Sequence, residues 1–293
     1  MREAAVGRDV KPIVVGVDGS SDSDRAVEWS LLEAQLSGAP LVLLHSIPRP
    51  PGAGHDDAMP ETRERSDRAI AHSEALATEY HGVSFSRRRM EALGLTPAAA
   101  MVEASETAAI VVVGARGHGG FAGLLLGSVS QHAARHAACP VVTVRAPKDP
   151  GSHRVVVGVD GSVPAEKALT YALSHAQRRN REVTAILAWR GPTLHGIGVA
   201  VPIAPDARQQ QQQQRHQDEL EEWLAPWRKK FPDVKLDGEA IPGHAGRLLI
   251  DASEHAALIV VGSRGQGAFT GLLLGSVSQA VLDHARCPVA VVR

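Results

Sequence analysis

The chain has 293 residues, a length typical of about two domains. Lys and Arg (31 together) nearly balance Asp and Glu (32), so no net charge favours nucleic acid or an anionic membrane surface as a partner. Aromatic residues are only 3% of the chain, and no apolar run approaches the ~20 residues of a membrane span. The N-terminus lacks the apolar core of a signal peptide, so we expect a cytoplasmic protein.

The first half of the chain alternates apolar strands with helices. The strand "IVVGV" at 13–17 leads into a helix that we expect Asp22 to cap and Gly38 to end. There follow a strand at 40–47, a helix at 62–80, an alternating strand at 83–90 whose arginines indicate an exposed edge, a short helix opened by Thr96 and Pro97, and strands at 109–114 and 140–145. Nearly continuous apolar strands separated by helices predict a parallel sheet covered on both faces, with strand order 3-2-1-4-5. A ligand would bind beyond the strand ends, where the order reverses between the first and fourth strands.

The second half repeats the first. "PIVVGVDGS" at 12–20 matches "RVVVGVDGS" at 154–162, and "AAIVVVGARG" at 108–117 matches "AALIVVGSRG" at 256–265. The repeating unit is a whole domain, so the fold class is α/β with two tandem doubly wound domains, each a five-stranded parallel sheet flanked by helices. We predict domains at 8–147 and 154–293 with a linker at 148–153. The glutamine run Gln209–Gln214 lies in a polar segment, helical or mobile, to which we assign no chemistry.

A glycine-rich loop follows the fourth strand of each half. Its glycines and serine recur with one spacing, as Gly114, Gly117, Gly127 and Ser128 and as Gly262, Gly265, Gly275 and Ser276. Glycine can adopt positive φ and lets the backbone approach a ligand, and the helix that follows offers unpaired N–H groups with a partial positive charge. We interpret each loop as a phosphate cradle in which the serine donates a hydrogen bond and caps the helix.

The same glycines allow three other interpretations. They could simply shape a tight connection between strand and helix. A Walker A loop needs a lysine before the serine, and none precedes Ser128 or Ser276. The pattern G-x-G-x-x-A at 117–122 formally fits a dinucleotide fingerprint, but it follows the fourth strand, and Thr270 breaks it in the second half.

The sequence resembles a tandem universal stress protein over nearly its whole length. The spacing G-2x-G-9x-G-S is that of the family's ATP-binding members, and it is intact in both halves, whereas the branch that binds no nucleotide lacks these glycines. The resemblance implies that ATP contacts the ends of the first two strands and the glycine loop. The implied residues are Gly16, Val17, Asp18, Ser46, Gly114, Arg116, Gly117, His118, Gly127, Ser128, Val129 and Ser130, and in the second half Gly158, Val159, Asp160, Trp189, Gly262, Arg264, Gly265, Gln266, Gly275, Ser276, Val277 and Ser278. Within the family the residue that ends the second strand, here Ser46 or Trp189, contacts adenine through its backbone.

Asp18 and Asp160 follow the first strand of each half, in the string "VDGS". One alternative is that such an aspartate has a local role alone, as a hydrogen-bond acceptor within a turn. We favour contact with the nucleotide, either directly or through a Mg²⁺ that bridges the phosphates, because this ion often takes one or two carboxylates and phosphate oxygens.

No catalytic constellation stands out. His132 and His136 have a spacing that can bind zinc, but Ala280 replaces the first of them in the second half, so we interpret both as surface histidines. Cys139 and Cys287 fit small buried residues at the start of a strand. Because the cradle is mostly backbone and lacks a P-loop lysine, we expect slow hydrolysis of ATP or none.

The sequence therefore predicts a nucleotide-dependent sensor or regulator. The resemblance adds a homodimer and a role in stress survival or growth arrest, and the last strand of each half is a candidate edge for pairing. A composition rich in alanine and arginine suits a GC-rich bacterium. Two alternatives stay open: a slow ATPase or nucleotide-transferring enzyme that uses Asp18 or Asp160 with a metal, and an interaction protein without nucleotide.

Overall fold

The computed structural model describes residues 10–46, 60–80, 82–90, 96–117, 125–189, 207–267 and 273–293. It divides the chain into two units, Met1–Arg145 and Ala146–Arg293. His118, one of the predicted nucleotide contacts, and Thr270 lie outside the described residues.

Strands and helices alternate through the first unit, as predicted. In chain order they are β1 (Ile13–Gly16), α1 (Ser21–Ser37), β2 (Leu41–Ser46), α2 (Pro60–Glu79), β3 (Phe85–Met90), α3 (Pro97–Ser105), β4 (Ile110–Gly114), α4 (Ser128–His136) and β5 (Val141–Val144). The strands are parallel in the order β3-β2-β1-β4-β5, which confirms the predicted topology. Val14 of β1 pairs with Val42 of β2 on one side and with Val111 of β4 on the other. The ends of β1 and β4 therefore form the point where the strand order reverses.

The second unit has the same architecture. Its elements are β6 (Arg154–Val159), α5 (Val163–Arg179), β7 (Glu182–Trp189), α6 (Ala207–Lys230), β8 (Leu236–Pro242), α7 (Ala245–Ala252), a 3₁₀ turn (Ser253–His255), β9 (Leu258–Gly262), α8 (Ser276–His284) and β10 (Val289–Val292). Within this unit the order is β8-β7-β6-β9-β10, again parallel. Val156 pairs with Thr184 and Ile259, as Val14 does with its two neighbours in the first unit.

Local sequence explains the limits of the first helix. Ser20 is the N-cap of α1, since its hydroxyl accepts the N–H of Ser23 at 3.2 Å. The prediction that Asp22 caps this helix is wrong, because Asp22 lies two residues inside it. Gly38 ends α1 as predicted, in the left-handed conformation with φ 70°, and its N–H binds the carbonyl of Ala34 at 2.8 Å.

The core of each unit lies between the valine-rich strands and the helices. Val111 is fully buried in a cluster that includes Ala100 and Ala104 of α3, and α1, which contacts β1 and β4, buries Val27 and Leu31. Each large aliphatic side chain removed from water in this way stabilises the fold by roughly 1.5–3 kcal/mol. The two cysteines, Cys139 and Cys287, are reduced and buried just before β5 and β10, which confirms their structural interpretation.

The glutamine-rich segment forms part of helix α6, so it is helical, and its side chains bind an edge strand. The amide of Gln217 donates to the carbonyl of Gly238 at 2.7 Å and accepts the N–H of Ala240 at 2.9 Å. Gln213 donates to the carbonyl of Ala240. These groups belong to β8, which ends the sheet of the second unit. The glutamines thus satisfy backbone groups that the sheet leaves unpaired.

The residues predicted as a linker contact the second unit. The N–H of Lys148 donates to the carbonyl of Arg286 at 2.8 Å, and the Ser152 hydroxyl donates to the carbonyl of His255 at 2.6 Å. Lys148 Nζ also lies 2.7 Å from a carboxylate oxygen of Glu254. None of the helices in the described ranges combines the length and the hydropathy that a membrane span requires.

Candidate functional site

A cavity of about 510 Å³ opens beyond the strand ends of the first unit, at the point where the strand order reverses. Its volume is in the range typical of small-molecule sites. Most of the predicted residues line it, namely Gly16, Val17, Asp18, Ser46, Gly114, Arg116, Gly117, Gly127, Ser128, Val129 and Ser130. The structure therefore brings together two strand ends and a loop that are distant in sequence.

An equivalent cavity of about 560 Å³ lies in the second unit. The predicted residues that line it are Gly158, Val159, Asp160, Gly262, Arg264, Gly265, Gln266, Gly275, Ser276, Val277 and Ser278. Trp189 is absent from this wall, and its indole packs on the ring of His216 with centroids 4.7 Å apart. Ala188 lines the cavity instead. Because Val155 pairs with Val183 just as Ile13 pairs with Leu41, the register makes Ala188, not Trp189, the equivalent of Ser46.

The glycine that ends the fourth strand makes room for a helix. A Cβ at Gly114 would lie 2.6 Å from the carbonyl carbon of Asp22 in α1, and a Cβ at Gly262 would lie 2.9 Å from that of Pro164 in α5. The motif glycines do not use the positive φ that the sequence interpretation allowed them. Among the described glycines, positive φ instead occurs at Gly19, Gly38, Gly82, Gly161 and Gly243. The motif glycines are therefore required for space and not for an unusual backbone conformation.

The second motif glycine lies against the aspartate that follows the first strand. A Cβ at Gly117 would collide with the carboxylate of Asp18, and one at Gly265 would collide with that of Asp160. Oδ1 of each aspartate accepts the N–H of the residue two positions on, Ser20 or Ser162, at 3.0 Å. The local turn that we considered for the "VDGS" string is thus present, and the same carboxylates also line the cavities.

The third motif glycine, and not the serine, is the helix N-cap. Gly127 and Gly275 take the N-cap positions of α4 and α8 with extended backbone, so the prediction that Ser128 and Ser276 cap these helices is wrong. No side chain caps either helix. Within the described residues the backbone N–H groups of 128–130 and 276–278 have no acceptor, so they are available to an anion.

The serine two residues further on holds each helix in place. The hydroxyl of Ser130 donates to the carbonyl of Gly114 at 2.6 Å, and that of Ser278 donates to the carbonyl of Gly262 at 2.6 Å. Both serines are buried. These bonds tie the start of α4 and α8 to the end of the adjacent strand and fix where the free N–H groups lie.

Sequence reasoning missed the apolar wall of the cavities. Pro97, Ala100 and Met101 of α3 line the first cavity, and Ala245 and Leu249 of α7 line the second. Gly16 leaves space for Met101, whose sulfur would be 3.1 Å from a Cβ there, and Gly158 does the same for Leu249. A signal was present, since apolar residues occupy matching positions of the two repeats.

His45 is a second residue that sequence reasoning missed. It lines only the first cavity, where its Nδ1 lies 2.6 Å from the carbonyl oxygen of Val17. In the second unit the same register position is Leu187. The histidine therefore distinguishes the two cavities.

No preformed metal centre is found in the described part of the chain, where no three His, Cys, Asp or Glu side chains form a group that could hold an ion. His132 and His136 stack on each other with ring centroids 4.3 Å apart. The titratable residues lining the cavities are Asp18, His45, Arg116, Asp160 and Arg264.

The architecture defines the class of protein: an α/β domain present twice, each copy with a cavity at the topological switch point that suits a ligand with an anionic group. The universal stress protein family matches residues 9–145 and again 151–293. The chain belongs to the universal stress protein family and contains two of its domains in tandem.

Known proteins show the same relationship over the full tandem. Universal stress protein Rv2005c of Mycobacterium tuberculosis is 37% identical over 291 residues, which cover 96% of each chain. A universal stress protein of Mycolicibacterium smegmatis is 36% identical over 295 residues, again 96% of each chain. The crystal structure of a universal stress protein from Archaeoglobus fulgidus has the same fold, with a TM-score of 0.70, 21% identity and coverage of 97% of this chain and 96% of that one.

Proposed function

We propose that each domain binds ATP and that the protein acts as a nucleotide-dependent sensor or regulator in the stress response, with little or no hydrolysis. The observation that carries the proposal is the start of α4, where three backbone N–H groups without an acceptor among the described residues belong to residues that line a cavity of about 510 Å³. The equivalent groups of α8 do the same in the second domain. The helix dipole and Arg116 or Arg264 add positive potential where phosphates would lie.

The cavity also suits the other parts of the ligand. Phosphates would bind at the free N–H groups, with the base toward the apolar wall formed by α3, around Met101, and the end of β2, around Ser46. A Mg²⁺ on the phosphates would meet one carboxylate, Asp18 or Asp160, whose oxygens each have more than one acceptor position.

The side chains of the site support binding over turnover. The described lining includes no lysine, and Arg116 and Arg264 are its only permanently charged cations. Rapid phosphoryl transfer normally needs a cation on the γ-phosphate and a group that orients the attacking water. A signal would instead arise because ATP makes contacts that favour one conformation or one partner over another. From the family resemblance we carry over a homodimer and a cytoplasmic location as parts of this proposal.

Native mass spectrometry of the full chain mixed with ATP tests the proposal. We expect mass increments of up to two nucleotides per chain, and a matched sample with adenosine should lose most of this binding because the phosphates are absent. The steady-state rate of ATP hydrolysis by the same protein should be far below the roughly tens of turnovers per second of efficient phosphoryl transfer. Absence of any nucleotide adduct would favour the interaction protein, and rapid turnover would favour the enzyme.

A further inference from the structure

Beside the two cavities, the domains differ at the second residue of the helix that packs against the glycine loop. This residue is Asp22 in α1 and Pro164 in α5. Each lies two positions after the N-cap serine, and each packs its backbone against the glycine that ends the fourth strand, Gly114 or Gly262. The positions are therefore equivalent, and each lies beside the glycine loop whose arginine, Arg116 or Arg264, lines the cavity.

In the first domain, Asp22 binds the donors of the glycine loop. Its side chain belongs to a residue only 7% exposed. Oδ2 accepts the backbone N–H of Arg116 at 3.1 Å and lies 3.7 Å from Nε of the same residue. Oδ1 lies 2.6 Å from a guanidinium nitrogen of Arg25. Asp22 therefore accepts the backbone N–H of Arg116 and neutralises part of its guanidinium charge, both of which Arg116 could otherwise present to a phosphate.

The second domain lacks this carboxylate. Pro164 has no polar side chain, and within the described residues neither the guanidinium nor the backbone N–H of Arg264 has an acceptor. Lys167 takes the position of Arg25, so this part of the second domain has Lys167 and Arg264, whereas the first has Arg25 and Arg116 offset by Asp22. Asp18 and Asp160 are common to both, and His45 is found only in the first. With His45 neutral, the described residues give the second site one more positive charge than the first.

We propose that the two sites are specialised for nucleotides of different charge, and that Asp22 is the residue that sets this difference. The second site binds a nucleoside triphosphate more tightly than the first site does. The first site discriminates less than the second between a triphosphate and a monophosphate. This inference rests on the proposed function, since it assumes that phosphates bind at both loops. Over a range of ATP concentrations the chain would carry nucleotide in only one domain.

Isothermal titration calorimetry of the full chain with ATP and with AMP tests the inference. The titrations are run at about pH 8, where histidines are ordinarily neutral. We expect two ATP events whose affinities differ by about tenfold, the size that one unit charge near the surface supplies, and a smaller difference for AMP. Pro164→Asp should weaken the tighter event by a similar factor, and Asp22→Pro should strengthen the weaker one. Both substitutions use the residue already present at the equivalent helix position, so each helix start has a tolerated geometry.

The outcomes separate this inference from the proposed function. If the wild-type chain binds neither nucleotide, the proposed function fails, and the inference fails with it. If ATP binds equally at both sites, or if Pro164→Asp leaves both affinities unchanged, only the inference is overturned. Should Asp22→Pro not fold, as shown by circular dichroism, Pro164→Asp alone decides, because it places a carboxylate at a helix position where α1 already accommodates one.

Discussion

The carboxylate of Asp18 lies where the side chain of residue 117 would be if that residue were not glycine. Asp160 has the same relationship to Gly265 in the second domain. An aspartate that follows the first strand and a glycine that follows the fourth are therefore in direct contact, and together they form one edge of each cavity. The contact places the carboxylate beside the loop that we propose to hold phosphate.

Gly117→Val should reduce ATP binding in the first domain by about tenfold or more, because the new side chain displaces the Asp18 carboxylate into the cavity. The carboxylate is the mobile end of its side chain, so the thermal stability should change little. Titration calorimetry should show the loss of one of two binding events, and Gly265→Val should remove the other. Gly151→Val is the matched control, since a Cβ there makes only an ordinary contact, 3.6 Å from Asp149 Oδ1. Unchanged affinity in the Gly117 variant would contradict the assignment of this loop.

Gly114→Ala should act mainly on stability, because the atom that meets the new Cβ belongs to the backbone. The Cβ would lie 2.6 Å from the carbonyl carbon of Asp22, so strand β4 and helix α1 must separate. We expect destabilisation of about 1–3 kcal/mol, measured by urea unfolding. Gly127→Ala provides the comparison: its backbone is extended, its closest contact would be 3.2 Å, and its effect should be smaller. Equal effects of the two substitutions would refute the steric explanation.

Gln217→Leu should expose the edge of the sheet in the second domain. The substitution removes hydrogen bonds to Gly238 and Ala240 of β8, at a cost of about 1 kcal/mol each. An edge strand with unpaired N–H and C=O groups is prone to pair with another chain, so light scattering should rise with protein concentration. Gln214→Leu is the control, because within the described ranges the side chain of Gln214 bonds only to Asp218 on its own helix. If both variants scatter alike, hydrophobicity and not the edge is responsible.

Glu254→Gln should alter the acid side of the stability profile. The hydrogen bond from Lys148 lowers the pKa of Glu254, so the folded protein holds its carboxylate ionised at lower pH than the unfolded chain does. The stabilisation is therefore complete above the ordinary pKa of 4.5 and disappears as the pH falls through the lower value of the folded state. The effect should be small because the group is exposed. Urea unfolding between about pH 3 and 6 should show a flatter profile for the variant than for the control Glu222→Gln.

Much of the site could be predicted from local sequence. The buried strands, the strand order, the glycine loops and the two aspartates follow from apolar runs, spacing and repetition, and the structure brings them to one cavity in each domain. The sequence located the glycine motif correctly, but the physical role it suggested for these glycines, positive φ, was wrong. Spacing cannot tell whether a glycine is needed for positive φ or for space, since that depends on which backbone packs against it.

The sequence by itself determined that this protein is one α/β domain written twice, with a loop after the fourth strand suited to an anion, because periodicity and glycine spacing depend on neighbours along the chain. Only the tertiary structure decided which residues face that loop. It made Ala188 the equivalent of Ser46 through strand register, brought Met101 and Leu249 to the walls of their cavities, and placed Asp22 on the donors of Arg116, 94 residues away. These relationships join distant parts of the chain, and no local pattern encodes the distances between them.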